Sequence, residues 1–121
     1  MALIRTLRYR NGEVVVNEDC GCPAISIEAW IDRQCLMHGS TMKGRQTAFR
    51  KLTGQKQKVP VFVDRDLILV PLDAAGDLDG CWVNWIVCKD QVPEKTSRNI
   101  RSFLRILEEN SSSESHWQLD A

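Results

Sequence analysis

Residues Asp32 to Val63 read DRQCLMHGSTMKGRQTAFRKLTGQKQKVPVFV, and their punctuation decides how the chain divides into elements. Gly39-Ser40 separates two helical patterns, and Gly54 and Pro60 separate the second from an extended apolar run. Ser26 is placed to cap a first helix from Ile27 to about His38, because Ile27, Trp30, Ile31, Cys35 and His38 recur at helical spacing. Gly39 can end that helix in a left-handed conformation. Ser40 then supplies an N-cap oxygen for a second helix, Thr41 to Leu52, which Gly54 closes. Two helices meeting at Gly39-Ser40 make a helical corner, with a turn too short for a helix-turn-helix.

Outward from this centre the pattern changes from period 3.6 to period 2. Ala2 to Arg10, Asn11-Gly12, and Glu13 to Asn17 have the form of a β-hairpin, since Asn-Gly accepts the positive φ values of a type I′ turn. Asn17 to Pro23 reads as a loop with Gly21 and Pro23 as breakers. On the other side, Val59 to Val63 and Leu67 to Leu72 form two strands, an Asp/Gly loop covers Asp73 to Gly80, and Cys81 to Lys89 is a third strand. That strand carries apolar residues on both faces, which implies burial on both sides; core is the reading for Trp82 and Trp85. Thr96 or Ser97 caps a last helix to about Glu109, with Ile100, Phe103, Leu104 and Leu107 as its core stripe. The expected fold is α+β, an antiparallel sheet of hairpins carrying about three helices. It forms a single domain over residues 1–109, followed by an acidic, Ser-rich and disordered tail over 110–121.

The chain has 121 residues, 43% of them hydrophobic, enough for one modest core. No apolar run reaches the roughly 20 residues a bilayer requires, and arginines interrupt the N-terminal MALIRTLRYR, so the reading is a cytoplasmic protein without a membrane partner. Five cysteines, an odd count, then point to thiols rather than a disulfide framework. Cys20, Cys22, Cys35 and His38 are a conceivable zinc set, but the Cys-Gly-Cys spacing is tighter than structural zinc sites use. The expectation is therefore no metal and no cofactor. There is no Ser-His-Asp ordering, no phosphate-cradling glycine loop and no HExxH run, which leaves no catalytic residues to name and argues against an enzyme.

The charge pattern is more informative. The formal net charge is zero, yet from Arg33 to Val63 there is no acidic residue, while Arg33, Lys43, Arg45, Arg50, Lys51, Lys56 and Lys58 are all basic. A segregated positive field suits a phosphate-bearing partner, although a solvated helix face would show the same bias. On the second helix, Lys43, Thr47, Arg50 and Lys51 share one side and can follow a nucleic-acid backbone, and Lys56 and Lys58 extend the positive surface along the linker. On the other side Arg45 interrupts the apolar stripe of Met42, Ala48, Phe49 and Leu52. It either snorkels to water or stands at a rim, ready for phosphate or a groove, with Gly44 beside it permitting close approach.

The ordered series Asp32-Arg33-Gln34-Cys35, Gly39-Ser40, Gly44-Arg45, Pro60, Val63-Asp64, Leu69-Val70-Pro71 and Trp82 resembles the central part of the ComK family of competence transcription factors. The resemblance covers roughly Ile27 to Lys89. It implies a transcription activator that binds A/T-rich double-stranded DNA through the minor groove as a homo-oligomer or with a ComK-like partner. The candidate DNA-binding residues are Lys43, Arg45, Arg50, Lys51, Lys56 and Lys58, with Arg45 the candidate for groove insertion because Gly44-Arg45 belongs to the matching series. The alternative is a shortened ComK-like interaction module that modulates a full-length regulator without binding DNA itself, which fits the zero net charge and a length shorter than the family's.

Overall fold

Asn11 and Gly12 take φ values of 50° and 79°, and the turn they make joins β1 (Thr6–Arg10) to β2 (Glu13–Val16). This is the hairpin the Asn-Gly pair predicts. The computed structural model describes residues 3–72 and 81–113, with side chains as far as residue 109. After β2 come β3 (Cys20–Pro23), α1 (Ile27–Leu36), α2 (Met42–Thr53), β4 (Val61–Asp64), β5 (Leu67–Leu72), β6 (Cys81–Asn84), a short 3-10 turn (Lys89–Gln91) and α3 (Glu94–Ser113). The strands form one antiparallel sheet in the order β3-β2-β1-β6-β5-β4. The fold is α+β.

Both faces of this sheet are covered. Leu7, Val14, Leu69 and Trp82 pack with Ile27, Trp30, Ile31 and Cys35 of α1, while Ile68, Val70, Val83 and Trp85 pack with Ile100 and Phe103 of α3. Adjacent residues such as Ile68 and Leu69, or Trp82 and Val83, go to different clusters because strand side chains alternate across the sheet. Each fully buried Leu, Ile, Val or Phe contributes about 1.5–3 kcal/mol. Trp30 of α1, Trp82 of β6 and Trp85 just after it are core residues, as expected from the sequence, and all three are buried. Helix α2 stands against β4 at one edge and joins both layers, with Met42 in the first cluster and Phe49, 5.0 Å from the Phe103 ring, in the second.

Several boundaries differ from the sequence reading. Cys20–Pro23 is not a loop but the edge strand β3, paired with β2 in the register Val14↔Cys22 and Val16↔Cys20. Gly and Pro break a central strand but are tolerated at an edge, where one side of the backbone has no ladder to maintain. The cap of α2 is Thr41, not Ser40: its Oγ1 accepts from the Gly44 N–H at 2.9 Å. Ser26 and Gly54 do cap as expected, Ser26 Oγ accepting from Ala29 N–H and Gly54 taking φ 81°.

The third strand ends at Asn84, well before Lys89. Asn84 is fully buried; its Oδ1 accepts from the Ile68 and Ile86 amides, and its Nδ2 donates to the Ile4 and Asp66 carbonyls. Its own carbonyl accepts from Val87 and Cys88, so the chain turns instead of extending. Helix α3 begins at Glu94, which places Thr96 and Ser97 inside its first turn rather than at a cap. Their hydroxyls are used elsewhere: Ser97 Oγ accepts from Trp85 Nε1 at 3.0 Å and Thr96 Oγ1 from Gln55 Nε2 at 3.4 Å. The helix runs to Ser113, past Glu109. The Asp/Gly loop of 73–80 and the tail beyond 113 lie outside the described residues. No helix among the described residues is long and apolar enough to cross a membrane.

Candidate nucleic-acid interface

The α1–α2 corner is fixed before any surface charge is considered. Asp32 Oδ1 of α1 accepts from the Met42 amide at 2.8 Å, which satisfies one of the unpaired N–H groups in the first turn of α2. His38 Nδ1 faces the Gln34 carbonyl at 3.0 Å and its Nε2 lies 3.7 Å from Asp64 Oδ2. Cys35 is wholly buried beneath this corner. Burial pushes its thiol above the ordinary value, Arg45 pulls it down and Asp32 adds to the rise, so the group stays protonated and packs as an apolar residue.

The two sides of α2 use their positive charges in opposite ways. Arg45 lies on the inner side. Its Nη1 donates to the Phe62 carbonyl at 2.6 Å and to the Val63 carbonyl at 3.3 Å, and its Nη2 donates to the His38 carbonyl at 2.9 Å. Beside it, Gln46 Nε2 donates to the Val59 carbonyl at 3.1 Å. An edge strand presents carbonyls with no neighbouring strand to donate to them, and here the Arg45 guanidinium takes that place at Phe62 and Val63 of β4, while Gln46 holds Val59 just before the strand. The guanidinium is therefore half-buried and tied to main-chain carbonyls, with Nε buried and unpartnered. Gly44 lies over the cap, where an added Cβ would meet Thr41 Oγ1 at 3.0 Å and Ser40 Oγ at 3.5 Å.

Lys43, Arg50 and Lys51 lie on the outer side of the same helix and are exposed, with Thr47 half-buried between them. Lys56 and Lys58 are exposed on the linker to β4. Lys43, Arg50, Lys51 and Lys56 form no ion pair among the described residues. Basic residues elsewhere do: Arg8 meets Glu18 at 2.9 Å, Arg10 meets Glu18 at 3.7 Å, and Arg101 meets Glu94 at 2.7 Å. Lys43, Arg50, Lys51 and Lys56 of the acid-free stretch thus differ from Arg8 and Arg10 of the hairpin and Arg101 of α3, whose charges are met by carboxylates.

The linker also forms one wall of a cleft of about 510 Å³ whose other wall is the first turn of α3, where Lys95 stands. Sequence reasoning did not find Lys95, because Lys56, Lys58 and Lys95 are brought together only by the packing of α2 on α3. The four residues considered as zinc ligands are dispersed: Cys20 and Cys22 on β3, Cys35 in the core, His38 against Asp64. No group of three or more metal-ligating side chains gathers among the described residues.

A family model described as ComK protein matches residues 7–103. No curated protein and no solved structure matches the chain. The matched span takes in β1, all three layers and α3 as far as Phe103, and so reaches well beyond the Ile27–Lys89 series that carries the sequence resemblance. This chain belongs to the ComK family of competence transcription factors.

Proposed function

We propose that the protein is a cytoplasmic, DNA-binding transcriptional regulator that grips A/T-rich duplex with the outer side of α2 and the linker behind it. The observation that carries this reading is the set of exposed cations at Lys43, Arg50, Lys51 and Lys56, which have no acidic partner among the described residues, whereas Arg8, Arg10 and Arg101 each meet a carboxylate. Residues at i, i+4 and i+7 of a helix face one way, so Lys43 and Arg50 flank Thr47 along a line that a phosphate backbone can follow. Lys58 extends the line on the linker.

Within this reading Arg45 positions the surface rather than entering the groove. It ties α2 to β4 and to the corner before it, and so sets the angle at which Lys43, Arg50 and Lys51 are offered. Arg50 is the arginine left on the outer side, and a narrow A/T minor groove attracts such a group through its concentrated negative potential. Family membership supports transcription activation through an oligomer, with a second copy or a ComK-like partner completing the DNA grip. The direct test compares A/T-rich with G/C-rich duplex at low salt. Binding to both with a preference for the first supports the reading, and equal affinities remove the groove-reading part of it.

A second reading takes its support from the formal net charge of zero. In that reading the chain is an interaction module that modulates another regulator. Absence of any duplex binding at low salt, together with co-purification of a ComK-like partner, would replace the first reading with this one.

A further inference from the structure

The cleft between the linker and α3 has the chemistry of an anion seat. Lys56 and Lys58 rise from one wall and Lys95 from the other, with the hydroxyls of Thr53 and Thr96 and the amide of Asn99 among its lining. Among the described residues no carboxylate and no aromatic side chain lines it. Glu94, next to Lys95 in the chain, is drawn to Arg101 at 2.7 Å. The walls are held by a single side chain: Gln55 Nε2 is shared among the carbonyls of Gln57 and Lys58 and the hydroxyl of Thr96, while its Oε1 accepts from Asn99 Nδ2 at 2.9 Å. The spacing of the two walls is therefore set before any ligand arrives, which lowers the ordering cost of binding.

A polar concavity with lysines in both walls and no carboxylate among its described lining favours a negatively charged oxyanion over an apolar or cationic ligand. The cleft begins at Thr53, the last residue of α2, so it continues the charged line of Lys43, Arg50 and Lys51 onto α3. Resting on the DNA-binding reading above, we propose that the cleft seats a backbone phosphate of the bound duplex and that Lys95 holds it. The nucleic-acid surface then has two parts, α2 and the first turn of α3, separated by the linker.

The experiment measures affinity of the full chain for an A/T-rich duplex as a function of salt, for wild type, Lys95→Gln, Lys95→Arg and Lys89→Gln. Lys89 is an exposed lysine whose Nζ sits 4.6 Å from the Trp85 ring centroid, away from the cleft lining, and controls for loss of charge alone. The proposal expects Lys95→Gln to flatten the salt dependence by about 0.9 in slope. Lys95→Arg should restore it, and Lys89→Gln should leave it unchanged. Wild-type slope in Lys95→Gln, or an equal loss in Lys89→Gln, overturns the seat while the DNA-binding reading stands. Wild type that binds no duplex at low salt instead removes the reading on which the seat rests.

Discussion

The inner and outer sides of α2 carry the same kind of residue and put it to different ends. Arg45 is surrounded by Met42 and Phe49 on the inner stripe and gives its donors to three main-chain carbonyls. Lys43, Arg50 and Lys51 on the outer side are exposed and have no acidic partner among the described residues. The difference lies in what each side faces. An edge strand has unpaired carbonyls that must be satisfied, and a rigid multi-donor guanidinium can bridge several of them where a lysine could reach one. Solvent makes no such demand, so charge on the outer side is available to a partner.

The largest effect should follow from breaking the inner side. Arg45→Ala leaves the Phe62, Val63 and His38 carbonyls without their donor, and charge-assisted bonds of this kind suggest a loss of about 3 kcal/mol, read by denaturant unfolding. Arg45→Lys should recover only part of it. A stability unchanged by Arg45→Ala would mean the bonds to β4 are replaced by water at no cost, and the contrast between the sides would collapse.

On the outer side the expectation is reversed. Arg50→Lys keeps the charge and should leave stability within about 0.5 kcal/mol, while lowering the preference for A/T-rich over G/C-rich duplex by about 1 kcal/mol. Retention of the full preference in equilibrium binding would show that Arg50 meets phosphate only. Lys43→Gln should weaken A/T-rich and G/C-rich binding alike, with a fold-loss that shrinks as salt is raised.

The smallest effect concerns Cys35, beneath the inner side. Because burial raises its pKa, the folded chain holds this proton to higher pH than the unfolded chain does. Its contribution is fully present below the unfolded thiol value of about 8.5 and is lost as pH rises toward the folded value. Thermal unfolding from pH 8 upward should show a shallower alkaline fall in Cys35→Ala than in wild type; parallel curves would mean the thiol titrates alike in both states.

How much of this was legible in the sequence depended on whether the deciding interaction was local. The Asn11-Gly12 hairpin, Ser26 cap and Gly54 stop are set by residues within a turn of one another, and sequence reading placed them. Strand β3 was not legible, because Gly21 and Pro23 argue against a strand unless its edge position is known. Nor was the end of β6, where Asn84 turns the chain by bonding to Ile4 and Asp66, remote in sequence. The candidate surface divides in the same way. Exposure of Lys43, Arg50 and Lys51 follows from helical spacing, whereas the bonds from Arg45 to β4 and the approach of Lys95 to Lys56 and Lys58 depend on tertiary packing.

The most direct test of the central claim is the salt dependence of duplex binding by wild type and by the triple variant Lys43→Gln/Arg50→Gln/Lys51→Gln, measured by fluorescence anisotropy from about 50 to 200 mM salt. The account predicts that the triple variant unfolds at the wild-type temperature and that its plot of log affinity against log salt is shallower by about 2.7, three phosphate contacts at about 0.9 each. A correctly folded triple variant that binds A/T-rich duplex with the wild-type slope would contradict it.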